Sequence, residues 1–202
     1  IRTLHVDDEP SFVEMSSEFL ERKNERLEVL IETDPVDALD TLENEDIDCV
    51  VSDFDMPTMD GIELLEEVRT HHPDMPFILF TGKGSEKVAS EAISRGVTEY
   101  MQKETGTSQY EVLANRIENV TKASNFHQEL EKTEAKYKRV LEQSLVGVYI
   151  IQDIEFEYVN SKLANIFGYV RDEVIGRPVS DLVAEEDRDL VEENIRRRIQ
   201  EE

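Results

Sequence analysis

Cysteine occurs once, at Cys49, so no disulfide framework can brace the chain, and a reducing cytosol is the expected compartment. No apolar run approaches about 20 residues, the length a membrane-spanning helix needs. No secretory leader pattern opens the sequence either. Basic residues are scarce: 22 Lys and Arg stand against 47 Asp and Glu, a net charge of −25 over 202 residues. Non-specific contact with nucleic acid phosphates is therefore disfavoured. The acid surplus runs along the whole chain rather than gathering in a tail. That predicts a solvated acidic surface of the kind suited to a high-salt cytoplasm. Because the chain opens at Ile1 rather than Met and ends in a charged helical run, it is expected to be part of a longer protein.

The hydrophobic fraction, 39%, suffices for one large core or two small ones. Over the first hundred residues, short apolar runs alternate with amphipathic stretches. Leu4-His5-Val6 reads as a strand ending at Asp7-Asp8, before a helix with Pro10 in its first turn. Residues 27–31 read as a second strand, and Thr33-Asp34-Pro35 signals the start of another helix. Residues 47–51, apolar apart from Asp48, and 77–80 are runs suited to strands buried on both faces, and 97–101 is a fifth strand. Helices are expected after Gly61 and through Val88, Ala92 and Ile93, the latter stopping at Gly96. Strand and helix alternate five times, which predicts an α/β fold with a five-stranded parallel doubly wound sheet.

Residues 108–145 read as one helical stretch. Leu113, Ile117 and Val120 follow one spacing, and Phe126, Leu130, Tyr137 and Val140 a shifted one, with a phase break near Ser124-Asn125. Two readings stand: an amphipathic helix with a solvated face, or a seam pairing two copies of the chain. After Gly147 the alternation of Val148 with Ile150 and of Phe156 with Tyr158 predicts two antiparallel strands. Short helical pieces closed by Gly168 and Gly176 follow. The expected division is 1–120, a helical linker 121–142, and a second domain 143–202.

In a parallel α/β sheet, ligands sit beyond the carboxyl ends of the strands. Those ends carry Asp7 and Asp8, Asp53, Thr81 and Lys103. Crowded carboxylates repel one another and call for a cation, and an oxygen-only set with few ligands suits Mg²⁺. With Lys103 as a point charge and Thr81 as a donor, the set has what phosphoryl transfer needs, and Asp53 is a plausible nucleophile giving an acyl phosphate. Taken singly, each acid could equally be a solvated loop residue or a helix cap.

This set, in this order, resembles the receiver domain of two-component response regulators. The match comprises Asp7-Asp8-Glu9 after the first strand, Asp53-Phe54-Asp55-Met56-Pro57 with Gly61, Thr81-Gly82, and Tyr100 three residues before Lys103. The resemblance implies that Asp8 and Asp53 ligate Mg²⁺ with the main-chain carbonyl of Asp55, Asp7 acting through water. It implies that a histidine kinase phosphorylates Asp53 in a phosphorelay and that Lys103 binds the phosphoryl group. It also implies a switch in which Thr81 swings toward the phosphate and Tyr100 turns inward. The family usually has proline after the lysine, where this chain has Glu104. Asp53-Phe54-Asp55 also resembles the nucleophile motif of haloacid-dehalogenase-type phosphatases, but Pro57 stands where that family has Thr or Val, and Glu104 alone stands for its later acidic pair.

Gly82-Lys83-Gly84-Ser85 lacks the upstream glycine and the hydroxyl after lysine that a phosphate-binding loop requires. His71 and His72 close a helix, where they complement its dipole, and Cys49 fits core packing. The remainder of the chain resembles the beginning of a PAS sensor domain, on Gly147-Val148-Tyr149-Ile150, Phe156-Glu157-Tyr158-Val159-Asn160, Phe167-Gly168-Tyr169 and Asp172-Glu173-Val174-Ile175-Gly176-Arg177-Pro178. PAS domains usually continue with three more strands, so this portion is expected to be an incomplete α+β module. Residues 143–202 contain no His, Met or Cys, so neither haem ligation nor a flavin adduct is supported there. The expected protein is a cytoplasmic receiver relaying to a PAS module, with a histidine kinase and a second copy as partners and neither nucleic acid nor membrane. Of the chain itself, self-phosphorylation and slow autodephosphorylation are expected rather than conventional turnover. The front end of a hybrid histidine kinase is the alternative.

Overall fold

The computed structural model describes residues 1–82 and 86–200, with the side chains of 192 and 198–200 left out. Lys83, Gly84 and Ser85, of the glycine-rich segment without phosphate-loop spacing, thus lie outside the described residues. The chain forms two compact units, Ile1–Glu129 and Leu130–Glu202.

In the first unit, β1 (Arg2–Val6), β2 (Glu28–Glu32), β3 (Cys49–Ser52), β4 (Phe77–Thr81) and β5 (Glu99–Gln102) form one parallel sheet in the order β2-β1-β3-β4-β5. The connecting helices are α1 (Pro10–Lys23), α2 (Pro35–Asn44), α3 (Gly61–His71) and α4 (Glu86–Ser94), and α5 (Ser108–Glu142) follows β5. The apolar runs are buried on both faces because alternate side chains enter opposite layers. Leu4, Val6, Val50, Phe77 and Leu79 pack with α2, α3 and α4, whereas Cys49, Val51, Ile78 and Phe80 pack with α1 and α5. Helix starts follow local chemistry. Asp34 accepts from Val36 N at 2.8 Å ahead of α2. Asp60 accepts from Ile62 N and Glu63 N while its own N–H donates to Glu63 Oε2, a reciprocal cap on α3.

Helix α5 runs through Ser124-Asn125 without interruption, so the phase break there is a change of face and not a break in the backbone. Its buried residues end at Thr121, and Phe126, Leu130, Tyr137 and Val140 are exposed.

In the second unit, β6 (Tyr149–Gln152) and β7 (Glu155–Val159) pair antiparallel, followed by α6 (Ser161–Phe167), α7 (Arg171–Val174), two 3-10 turns and α8 (Arg188–Gln200). Phe156, Val159, Leu163, Ala164, Val174 and Val179 make its small core. Gly168, at φ +80°, closes α6 in the left-handed region. Asn160 is fully buried and fully used. Its side chain accepts from Val148 N and Leu163 N and donates to the carbonyls of Leu141 and Val146, tying the end of α5 to β6 and α6.

Candidate functional site

Strands β1, β3 and β4 end side by side, and Lys103 directly follows the neighbouring β5. The backbone registers this rim: Asp53 N donates to Val6 O at 2.9 Å, and Lys103 N to Thr81 O at 2.9 Å. Asp7, Asp8 and Asp53 each bring a carboxylate oxygen within 4.8 Å of the others. Asp7 and Asp53 are buried and Asp8 is exposed, so the cluster opens to solvent on one side. Thr81 is buried at the end of β4. Asp55 is exposed beside the cluster, its N–H 3.3 Å from Asp53 Oδ2. Tyr100 is half-buried against the α2–α3–α4 layer, and burial raises its phenol above the ordinary value.

Lys103 Nζ lies 2.6 Å from Asp7 Oδ2 and 3.1 Å from Asp53 Oδ1. Burial raises the Asp7 carboxyl, opposed by the Lys103 hydrogen bond and charge and by the N–H of Glu9. The Asp53 contact is an ion pair and not a hydrogen bond: Asp53 Oδ1 is a buried oxygen with no hydrogen-bond donor. A buried carboxylate oxygen left without a donor is costly unless something else occupies its lone pairs. With Asp53 bringing that oxygen, the Asp7, Asp8 and Asp53 carboxylates, all oxygen and partly open to water, fit a hard divalent cation such as Mg²⁺. His71 and His72 do not enter this cluster.

Three groups that support this rim have no signal in the sequence pattern. Phe12, in the first turn of α1, lies under Lys103, whose Nζ is 4.3 Å from the ring centroid. Gln109, buried at the start of α5, accepts from Glu104 N at 2.8 Å and donates to Gly106 O at 3.0 Å. It thereby satisfies the N–H that proline would not have carried. His5 is wholly buried among Phe12 and Phe80, and neither ring nitrogen has a hydrogen-bond partner.

The family model described as the response regulator receiver domain matches residues 3–118, and the PAS fold matches residues 135–202. The bacterioopsin transcriptional activator of Halobacterium salinarum is 30% identical over 166 residues, covering 75% of this chain and 24% of that protein. The transcriptional regulatory protein FixJ of Bradyrhizobium diazoefficiens is 38% identical over 65 residues, covering 32% of each. The chain thus spans a third or less of the length of these two relatives. Among solved structures, a CheY-like response regulator receiver domain protein from Methanospirillum hungatei superposes with a TM-score of 0.56 at 27% identity, covering 62% of this chain and 97% of that one.

Proposed function

The chain belongs to the response regulator receiver family, with a PAS domain following the receiver, and on that premise we propose that Asp53 is the phosphoacceptor of a cation-dependent switch. The observation that carries this reading is the Asp53 side chain itself: buried, undonated at Oδ1, and 3.1 Å from the Lys103 ammonium. A carboxylate oxygen attacks the phosphorus of a phosphohistidine or of acetyl phosphate. The bond from phosphorus to the leaving group breaks, and an acyl phosphate forms on Asp53. Lys103 neutralises the equatorial oxygens of the transferred group. Asp8, Asp53 and the Asp55 carbonyl would hold Mg²⁺, with Asp7 through water, and the cation would supply further neutralisation of the phosphoryl charge.

Thr81 and Tyr100 are the switch pair of this reading. Thr81 at the end of β4 and the half-buried Tyr100 on the neighbouring β5 support this reading of a response to phosphate on Asp53. The family match favours this reading over a haloacid-dehalogenase-type phosphatase. A histidine kinase is the donor, and the exposed residues Phe126, Leu130, Tyr137 and Val140, at heptad-compatible spacing on α5, support pairing with a second copy. Both relatives are named for transcriptional regulation. The net charge of −25 argues that the two units described here sense and relay rather than touch DNA. A cytoplasmic site fits the single free thiol, and no helix among the described residues is long and apolar enough to cross a membrane.

The test is intact mass after incubation with acetyl phosphate and Mg²⁺. Wild type should gain one phosphate only with the cation present, and Asp53→Asn should gain none. An equal gain in both proteins would defeat the proposal. The halophilic reading has its own test in Cys49, which is wholly buried and whose thiol burial pushes up. A thiol reagent should label it slowly in molar salt and rapidly after dilution into low salt. Equal protection in both would remove the halophilic reading.

A further inference from the structure

We propose that Phe12 is a positioning residue for Lys103, its ring face holding the ammonium over the site by a cation–π contact. The proposal rests on the reading of Asp53 as phosphoacceptor and deepens it. The Lys103 side chain is 17% exposed, so its charge is largely withdrawn from water. Four groups surround that charge: Asp7 at 2.6 Å, Asp53 at 3.1 Å, the Phe12 ring centroid at 4.3 Å and the Phe80 centroid at 5.9 Å. Phe12 and Phe80 brace one another at 6.2 Å, and His5 packs against both.

Two of these four neighbours are the carboxylates that a cation would also claim. A cation drawing on Asp7 and Asp53 weakens their hold on lysine just when lysine must face a phosphoryl group. The aromatic face is not subject to that competition. It is uncharged, it attracts the ammonium through its quadrupole, and it uses none of the three N–H donors. One of those donors goes to Asp7, and the others stay available for a phosphoryl oxygen. Leucine at position 12 would fill much of the same space and supply no such attraction. Phe12 is also partly buried against the α1–α5 layer, so packing alone is the competing explanation, and the test must separate the two.

The experiment measures the rate of phosphorylation of the full chain by acetyl phosphate at saturating Mg²⁺, together with the Mg²⁺ concentration giving half the maximal rate. Phe12→Leu should slow the maximal rate by about three- to tenfold, as expected for a partly desolvated cation–π contact, and leave the Mg²⁺ half-saturation unchanged. Phe12→Tyr, which keeps the ring face, should retain the rate. Pentafluorophenylalanine at position 12 preserves shape but reverses the quadrupole, and it should slow the reaction as leucine does; it is the deciding variant if Phe12→Leu does not fold. A wild-type rate in the fluorinated protein, or equal slowing in Phe12→Tyr, would overturn the proposal and leave Phe12 a packing residue. Absence of phosphate uptake in wild type would instead defeat the phosphoacceptor reading, and the proposal with it.

Discussion

Gly61 and Asp53 touch through their backbones: a β-carbon on Gly61 would lie 2.1 Å from the Asp53 carbonyl oxygen and 2.7 Å from Leu79 Cδ1. The first residue of α3 is thereby pressed against the end of β3, and Gly61 N donates to Phe54 O at 2.9 Å to close the loop between them. Backbone cannot yield as a flexible side chain can, so Gly61→Ala must displace the segment that carries the acceptor. The expected outcome is a loss of about 1–3 kcal/mol in urea unfolding, together with slower phosphorylation. An unchanged midpoint would mean that the contact relaxes freely.

Gln109 takes over a task made necessary by Glu104. Gln109→Leu strands the Glu104 N–H in a partly buried place, at a cost of about 1–3 kcal/mol. Glu104→Pro removes that N–H. The double variant should therefore be less destabilised than the sum of the single ones, as a double-mutant cycle by chemical unfolding would reveal. Strict additivity would show that Gln109 acts elsewhere.

His5 makes the acid limb of stability steeper. Burial lowers its imidazole from the ordinary 6.5 to about 3, with the Lys103 charge as the lesser cause. The folded state therefore keeps His5 neutral while the unfolded chain takes up a proton below pH 6.5. Its contribution is present above pH 6.5 and is lost as pH falls from there toward 3. His5→Leu should flatten the fall of unfolding free energy across that window by about 1.4 kcal/mol per pH unit relative to wild type. Parallel curves for the two proteins would refute the assignment.

Asn160 secures the second unit by four side-chain hydrogen bonds from a fully buried position. Asn160→Leu removes all four and strands at least the Val148 and Leu163 N–H groups, so a loss of more than about 2 kcal/mol is expected. Hydrogen exchange should localise the added opening to β6, β7 and α6. Uniform protection across the unit would contradict this.

The sheet was legible because its strands announce themselves: residues 49–51 and 77–80 are apolar without interruption, and strands buried on both faces favour that. The fifth strand was legible only in part. Val97 and Thr98 read as its start, yet Val97 N is spent on Ala92 O closing α4; Thr98 N makes the first bond to β4, to Phe77 O, and the strand itself runs Glu99–Gln102. The acids, Thr81 and Lys103 were legible because strand ends in this topology share one rim. Phe12, Gln109 and the setting of His5 were not. Phe12 and Lys103 stand 91 positions apart in sequence, and such a contact leaves no periodic trace. Gln109 looks like any polar residue opening a helix until the loop before it is seen to need an acceptor.

The central claim, that Asp53 carries the phosphoryl group, is most directly tested by trapping the acyl phosphate. Borohydride reduces an aspartyl phosphate to homoserine, so peptide mass spectrometry after treatment with acetyl phosphate reads the position of the adduct. Homoserine at position 53, formed only when Mg²⁺ and acetyl phosphate are both present, is the predicted result. Homoserine at Asp7, Asp8 or Asp55 instead, or at no position in a folded and magnesium-loaded protein, would contradict it.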